Sequence, residues 1–178
     1  NYPDIREKLH VAIGKNTSSM FDEHHRVISG NATDQALMKF LGEDSYLKMK
    51  EDPSLEVFAS QKFNSSNKFS QAQIGGLTYY KGAPERLLQK ADRYMGTDGQ
   101  LHPLDLSCIN QRIDTLAKKA MRVIAFGYSE EPLQENCISG NLVLIGMAAI
   151  RDDVRPEARI AIHDVQKAGI QVVMITGD

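Results

Sequence analysis

Between residues 55 and 81, three short runs with recurring apolar positions are divided by two strong turn signals, Asn64-Ser65-Ser66-Asn67 and Gly75-Gly76. Runs this short, joined by turns this tight, pair with their neighbours in sequence and predict an antiparallel meander over 55–63, 68–74 and 77–81. The third run continues as Tyr79-Tyr80-Lys81-Gly82-Ala83-Pro84-Glu85-Arg86-Leu87-Leu88, which reads as a strand turning through a glycine into a helix over 84–90. Gly82 permits positive φ and close backbone approach, and Pro84 suits a first helical position. A lysine ahead of a helix N-terminus suits an anion, because free backbone N–H groups and the helix dipole point the same way. Taken alone, these residues read better as an ordinary strand–helix junction than as an anion site.

A sheet begun in this way needs helices to cover it, and the flanking sequence supplies them. Ile5, Leu9, Ala12 and Ile13 fall at helical spacing behind Pro3 and Asp4, predicting a helix over 4–13 that Gly14 and the polar cluster at 16–19 end. His24 and His25 lie in a polar loop; adjacent histidines point apart on any regular element, which favours a solvated loop over a metal site. Asn31 can cap a helix with Ala36, Leu37, Phe40 and Leu41 as its apolar face. Asp34 then stands in the first turn, where a carboxylate favours the dipole.

Beyond the meander, Thr97-Asp98-Gly99-Gln100 reads as a hairpin turn joining 94–96 to a run ending at Pro103. Asp105 or Ser107 caps a helix whose face is Ile109, Ile113, Leu116, Ala117 and Ala120. Residues 121–128 and 142–150 read as further strands. A last helix opens at Asp152-Asp153-Val154-Arg155-Pro156-Glu157, presents Ala158, Ala161, Ile162 and Val165, and ends at Gly169. The apolar run 170–175 reads as a strand that should order poorly without sheet neighbours to cover both its faces, and it leads into Thr176-Gly177-Asp178. A buried strand followed by a short polar turn is how α/β domains present phosphate-handling residues.

Composition excludes several functions. At 42% apolar and 25% charged the chain can bury a core, and its net charge of −2 gives no basic field for nucleic acid. The apolar stretch at 142–150 is half the length of a membrane-spanning helix, and no signal-peptide pattern opens the chain. Cys108 and Cys137 have no metal-ligand spacing, so reduced thiols are the default. Both ends of the sequence look like cuts through something larger.

The run Lys81-Gly82-Ala83-Pro84-Glu85 resembles the nucleotide-binding signature of the P-type cation-transporting ATPases. Phe63-Asn64-Ser65-Ser66-Asn67-Lys68 resembles the family segment in which an aromatic stacks on adenine with a lysine nearby. Met121-Arg122-Val123-Ile124-Ala125 resembles the strand carrying an arginine that reaches the ATP phosphates. The 152–157 run, followed by Ile175-Thr176-Gly177-Asp178, resembles the family's hinge and the end of its phosphorylation domain. Gly30-Asn31-Ala32-Thr33-Asp34-Gln35-Ala36-Leu37 is similar to the segment whose acid contacts the adenine amino group. The order and spacing of these matches carry the resemblance, which is strongest toward calcium-type pumps of bacteria.

The resemblance implies an α+β fold: an antiparallel sheet of about six or seven strands flanked by helices, spanning 1–151. Residues 152–178 would be a hinge and a helix–strand fragment of a Rossmann-like, haloacid-dehalogenase-like phosphorylation domain. It implies ATP as ligand, with Mg2+ in the full-length protein, and a nucleotide site of Asp34, Phe63, Lys68, Ser70, Lys81, Gly82 and Arg122. Phe63 would give the base a π-face, Asp34 would accept from the exocyclic amine, and Lys68 and Lys81 would add positive charge. Gly82 would admit the nucleotide to the backbone, and Arg122 would meet phosphate oxygens. Asp152 and Arg155 would act at the hinge, with Thr176, Gly177 and Asp178 in the wall of the phosphorylation site.

The partners implied are the phosphorylation, actuator and transmembrane domains of a parent chain, in a cytoplasmic domain of an integral membrane protein, at the plasma membrane. No Asp-Lys-Thr-Gly-Thr run occurs, so the phosphorylated aspartate would lie elsewhere and this chain would bind ATP without turning it over. Two departures stand out. Ser70 occupies a position where several members carry a larger Gln or Met, and Asp153-Val154 replace two prolines of the hinge. Rival readings are a haloacid-dehalogenase-like phosphatase fragment, which needs an upstream Asp-x-Asp or Asp-x-Thr not found here, and a nucleotide-free regulatory or interaction module of the same fold.

Overall fold

The computed structural model describes residues 3–151, 155–173 and 175. The expected meander forms as β3 (Val57–Gln61), β4 (Phe69–Ile74) and β5 (Leu77–Gly82), each antiparallel to the next. Gly75 and Gly76, both at positive φ, make the two-residue turn between β4 and β5, where the strand twist demands left-handed backbone. The sheet grows on the β5 side through β8 (Arg122–Ser129) and β9 (Leu142–Ile150). Its far edge is the hairpin of β6 (Ala91–Met95) and β7 (Leu101–Pro103). The seven strands run in the order β3-β4-β5-β8-β9-β6-β7. Because the chain leaves β5 for the far edge before returning to the middle, β6 lies parallel to β9, the one parallel pair in the described sheet.

Helices cover both faces. On one, α1 (Pro3–Gly14), α2 (Ala32–Leu41) and α3 (Glu43–Glu51) bury Val11, Ile13, Leu37, Met38 and Leu41 against Ala72, Tyr79, Phe126 and Val143. On the other, α4 (Pro84–Leu87) and α5 (Leu106–Ala117) pack Leu87, Ile109 and Ile113 against Phe69, Tyr80, Ala125 and Leu142. Strand alternation sends adjacent residues such as Tyr79 and Tyr80 into separate cores. A small hairpin of β1 (Met20–Phe21) and β2 (Val27–Ile28) carries His24 and His25 in its exposed loop, where His25 Nδ1 lies 2.7 Å from Glu43.

Local chemistry explains the agreements and the departures. The Asn31 side chain accepts from the Asp34 N–H at 2.9 Å and caps α2, and Asp105 accepts from the Cys108 N–H at 3.1 Å and caps α5. The buried stripe of α2 is Asp34, Leu37, Met38 and Leu41, and Phe40, expected on that face, is 69% exposed. Helical periodicity through Asp34 selects Met38 and leaves Phe40 outside. No apolar pattern announces α3, which buries only Met49 and is instead marked by Glu43 and Asp44 in its first turn and Lys48 and Lys50 in its last. The helix expected over 84–90 stops at Leu87 and closes with a turn from the Lys90 N–H to the Leu87 carbonyl.

Helix α6 (Pro156–Lys167) forms as expected, with Gly169 at φ 80° behind it. The strand expected over 170–175 does not: the described residues 170–173 and 175 belong to no strand, and Ile175 is 94% exposed. A segment apolar on both faces becomes a strand only between sheet neighbours, and the described sheet has its edges at β3 and β7. Asp152, Thr176, Gly177 and Asp178 lie outside the described residues. Among the described residues no helix is long and apolar enough to cross a membrane.

Candidate functional site

The register of the central strands gathers the singled-out residues at one end of the sheet. Phe69 stands opposite Gly82, Ser70 opposite Lys81, and Gly82 opposite Ala125. The start of β4, the end of β5 and the start of β8 therefore meet beside the N-terminus of α2. Between them opens a cavity of about 630 Å3, lined by Asp34, Phe63, Lys68, Lys81, Gly82 and Arg122. That volume lies in the usual range for small-molecule sites. Ser70 is buried just behind this cavity, with its Oγ 3.4 Å from the Lys81 carbonyl. Arg155 is not among its lining residues and is exposed at the N-terminus of α6.

The deep end is an ion pair. Lys81 Nζ lies 2.7 Å from Asp34 Oδ1, both side chains are almost wholly buried, and Nζ also donates to the Asn16 carbonyl. The second carboxylate oxygen accepts from the Ser18 N–H at 3.2 Å. Burial pulls the Lys81 ammonium below its ordinary 10.5, although Asp34 holds it up by charge and hydrogen bond. Asp34 therefore does more than favour a helix dipole: its carboxylate reaches across to β5 and to the loop after α1.

This geometry corrects two expectations. Lys81 does not face a helix N-terminus, because alternation turns it to the opposite sheet face from α4, and α4 is only four residues long. Gly82 is not at positive φ and makes no turn; it pairs as the last residue of β5. Its missing side chain answers a different need. A Cβ there would stand 2.5 Å from the Lys68 carbonyl oxygen and 2.6 Å from Phe69 Cβ, so β4 itself forbids one.

The mouth is exposed. Phe63 follows β3 and presents a ring that is 52% exposed, so it is no core residue. Lys68 sits at φ 61°, at the end of a loop closed by its own N–H to the Asn64 carbonyl at 2.8 Å. Its Nζ is 3.4 Å from Glu85 Oε1. Arg86 donates to the Asn67 carbonyl at 3.1 Å and ties the loop to α4. Arg122 Nη1 donates to Thr33 Oγ1 at 3.0 Å, which holds the guanidinium along the rim.

Sequence reasoning missed Asn16. Its Nδ2 donates to the carbonyls of Ser70 at 3.1 Å and Tyr79 at 3.4 Å, clamping the end of α1 onto β4 and β5 at the level of the ion pair. Read locally, Asn16 only ends a helix, and its partners 54 to 65 residues away leave no trace in its neighbours. Thr33 and Glu85 were likewise part of quoted motifs without a role.

An aromatic face, a buried acceptor beside a cation, and two rim cations form a set that suits a flat heterocycle carrying anionic groups. The family described as "P-type ATPase, cytoplasmic domain N" matches residues 5–157. The chain belongs to that family. Domain N here is 28% identical over 98% of its length to calcium-transporting ATPase 1 of Saccharomyces cerevisiae, covering 20% of that protein. It is 32% identical over 85% of its length to the plasma membrane-type calcium-transporting ATPase 7 of Oryza sativa subsp. japonica, covering 16% of it. Over 55% of its length it is 39% identical to the probable cation-transporting ATPase F of Mycobacterium bovis, covering 11% of that protein. The chain thus spans a fifth or less of each of these curated relatives.

Proposed function

We propose that this domain N holds ATP for a P-type cation pump, with adenine against Phe63 and the phosphates toward Lys68 and Arg122. The observation that carries the reading is the convergence of Asp34, Phe63, Lys68, Lys81 and Arg122 from four separated stretches of chain on one cavity. Asp34 would accept from the exocyclic amine, Lys81 would sit at the base end rather than at the phosphates, and Arg122 would meet the outer phosphates as a charged donor. Residues 1–151 would form the nucleotide domain and 152–178 the hinge and the start of a phosphorylation-domain segment. In that segment Asp152 and Arg155 would serve the hinge, and Thr176, Gly177 and Asp178 the wall of the phosphorylation site.

The γ-phosphate would pass to an aspartate outside this chain, with Mg2+ carried by the phosphates and by residues of the other domains. Among the described residues no group of three His, Cys, Asp or Glu side chains is placed to hold a metal. Some of the relatives' names support calcium as the transported ion and a plasma membrane pump, and the family's description supports a cytoplasmic domain N. The sequence resemblance adds a calcium-type pump of bacterial kind. ATP should bind at about millimolar strength, about −4 kcal/mol, because a stacked base and rim charges open to water contribute little more. A two-dimensional NMR titration with ATP tests this. Shifts centred on Phe63, Lys68, residues 81–83 and Arg122, without phosphate release, are expected; shifts elsewhere or none would overturn the assignment.

A further inference from the structure

Behind the Asp34–Lys81 pair lies a second hollow of about 70 Å3 that shares Asp34, Phe63 and Lys81 with the main cavity. The rest of its wall is polar, including the hydroxyl-bearing Thr17, Ser18 and Ser60 and, from β4, Ser70. Ser70 is 3% exposed and contacts the Lys81 carbonyl only at 3.4 Å, so its short side chain leaves space between the strand and the ion pair. A longer side chain at 70 would extend into that space. A polar hollow of this size, with the exposed Ser18 and Ser60 on its wall, has room for ordered waters. A ligand group that enters must replace their hydrogen bonds or lose affinity.

We propose that this hollow is a side pocket of the base site, that it accepts adenine nucleotides bearing a short polar substituent on the exocyclic amine, and that Ser70 sets its size. The proposal deepens the ATP reading and rests on it. On the ATP reading the amine faces Asp34, which lines both chambers. An exocyclic amine has two N–H bonds. Mono-substitution leaves one for the Asp34 carboxylate, and the substituent on the other side can pass into the hollow. Hydroxyl and ammonium groups on the wall favour a chain ending in a hydroxyl over an alkyl chain of the same length.

The test compares affinities of the purified chain for ATP, N6-(2-hydroxyethyl)-ATP and N6-propyl-ATP, whose substituents have equal numbers of heavy atoms. The hydroxyethyl nucleotide should bind within about threefold of ATP and the propyl nucleotide about tenfold more weakly, the difference of one unmade hydrogen bond. Ser70→Met fills the hollow. It should lower the affinity for the hydroxyethyl nucleotide about tenfold or more relative to the same variant's affinity for ATP, with a melting curve showing the variant folded. If that variant does not fold, the comparison of the three nucleotides on the unaltered chain decides. Rejection of both analogues while ATP binds would overturn the side pocket and leave the base site standing. So would equal binding of all three to the unaltered chain, which would place the substituent in solvent. Failure of ATP itself to bind would remove both readings.

Discussion

Two lysine–carboxylate pairs border the same cavity and behave as opposites. Lys81 and Asp34 are 2.7 Å apart with side chains 7% and 8% exposed, whereas Lys68 and Glu85 are 3.4 Å apart at 55% and 59%. Water screens the outer pair, and holding two long side chains together cancels most of the remaining attraction. The inner pair has given up its hydration and is satisfied only by its own partners: the Asn16 carbonyl for the ammonium, and the Ser18 N–H for the carboxylate. One pair belongs to the architecture of domain N. The other stands in solvent, where water competes for both partners.

Breaking the inner pair should give the largest effect. Lys81→Met leaves a buried carboxylate uncompensated and should cost about 3–5 kcal/mol in urea denaturation at neutral pH, while adding Asp34→Asn should restore most of that loss. Equal stability of the single and double variants would show that the two charges do not depend on one another.

The same pair has a pH signature. The folded ammonium titrates below 10.5, so in the window beneath that value the unfolded chain holds a proton that the folded chain has released. Stability should therefore rise with pH through this window, and Lys81→Met should remove that rise. Tyr79 has the opposite sign: burial and the neighbouring Tyr128 push it up to about 12, so its contribution falls as pH climbs from 10. The difference between the two proteins, measured by denaturation at several pH values, isolates Lys81 from Tyr79.

Phe63→Ala tests the mouth. With half the ring exposed, its removal should change stability by no more than about 0.5 kcal/mol. It should weaken ATP and AMP equally, by about 1–3 kcal/mol if the ring stacks on the base. Arg122→Ala should instead weaken ATP and spare AMP, and equal losses for both would reverse the orientation of the nucleotide. The smallest effect belongs to the outer pair. Glu85→Gln should leave stability within about 1 kcal/mol and tighten ATP by a few-fold at low salt, as Lys68 loses a competing carboxylate. That gain should fade as ionic strength rises. A salt-independent gain would mean that Glu85 acts through the shape of the loop.

Much of the fold was legible because its signals are local. The glycine pair at 75–76 demands left-handed backbone, and the caps at Asn31 and Asp105 bond to N–H groups three residues away. Helix α3 was not legible, because a helix that buries only Met49 carries no periodic apolar stripe. The strand expected over 170–175 failed for the reverse reason: its apolar content is real, but a strand needs neighbours that a segment cannot supply for itself. In the candidate site, the quoted motifs did contain the residues that line the cavity. Their contacts were hidden, because Lys81 finds Asp34 across 47 positions and Asn16 reaches Ser70 across 54.

By itself the sequence determined the elements whose causes lie within a few residues: the meander and its turns, the capped helices, and the run from Lys81 to Glu85 that marks the family. The tertiary structure decided what those residues face. It placed β6 beside β9, turned Lys81 away from α4 toward a buried carboxylate, and left Phe63 half in solvent. It also gave Gly82 its reason, the Lys68 carbonyl and Phe69 pressed against the strand end. Capping hydrogen bonds, turn geometry and φ/ψ preference act between chain neighbours and can be read along the chain. Burial, ion pairing and cavity shape are properties of residues brought together from far apart, and they exist only once the chain has folded.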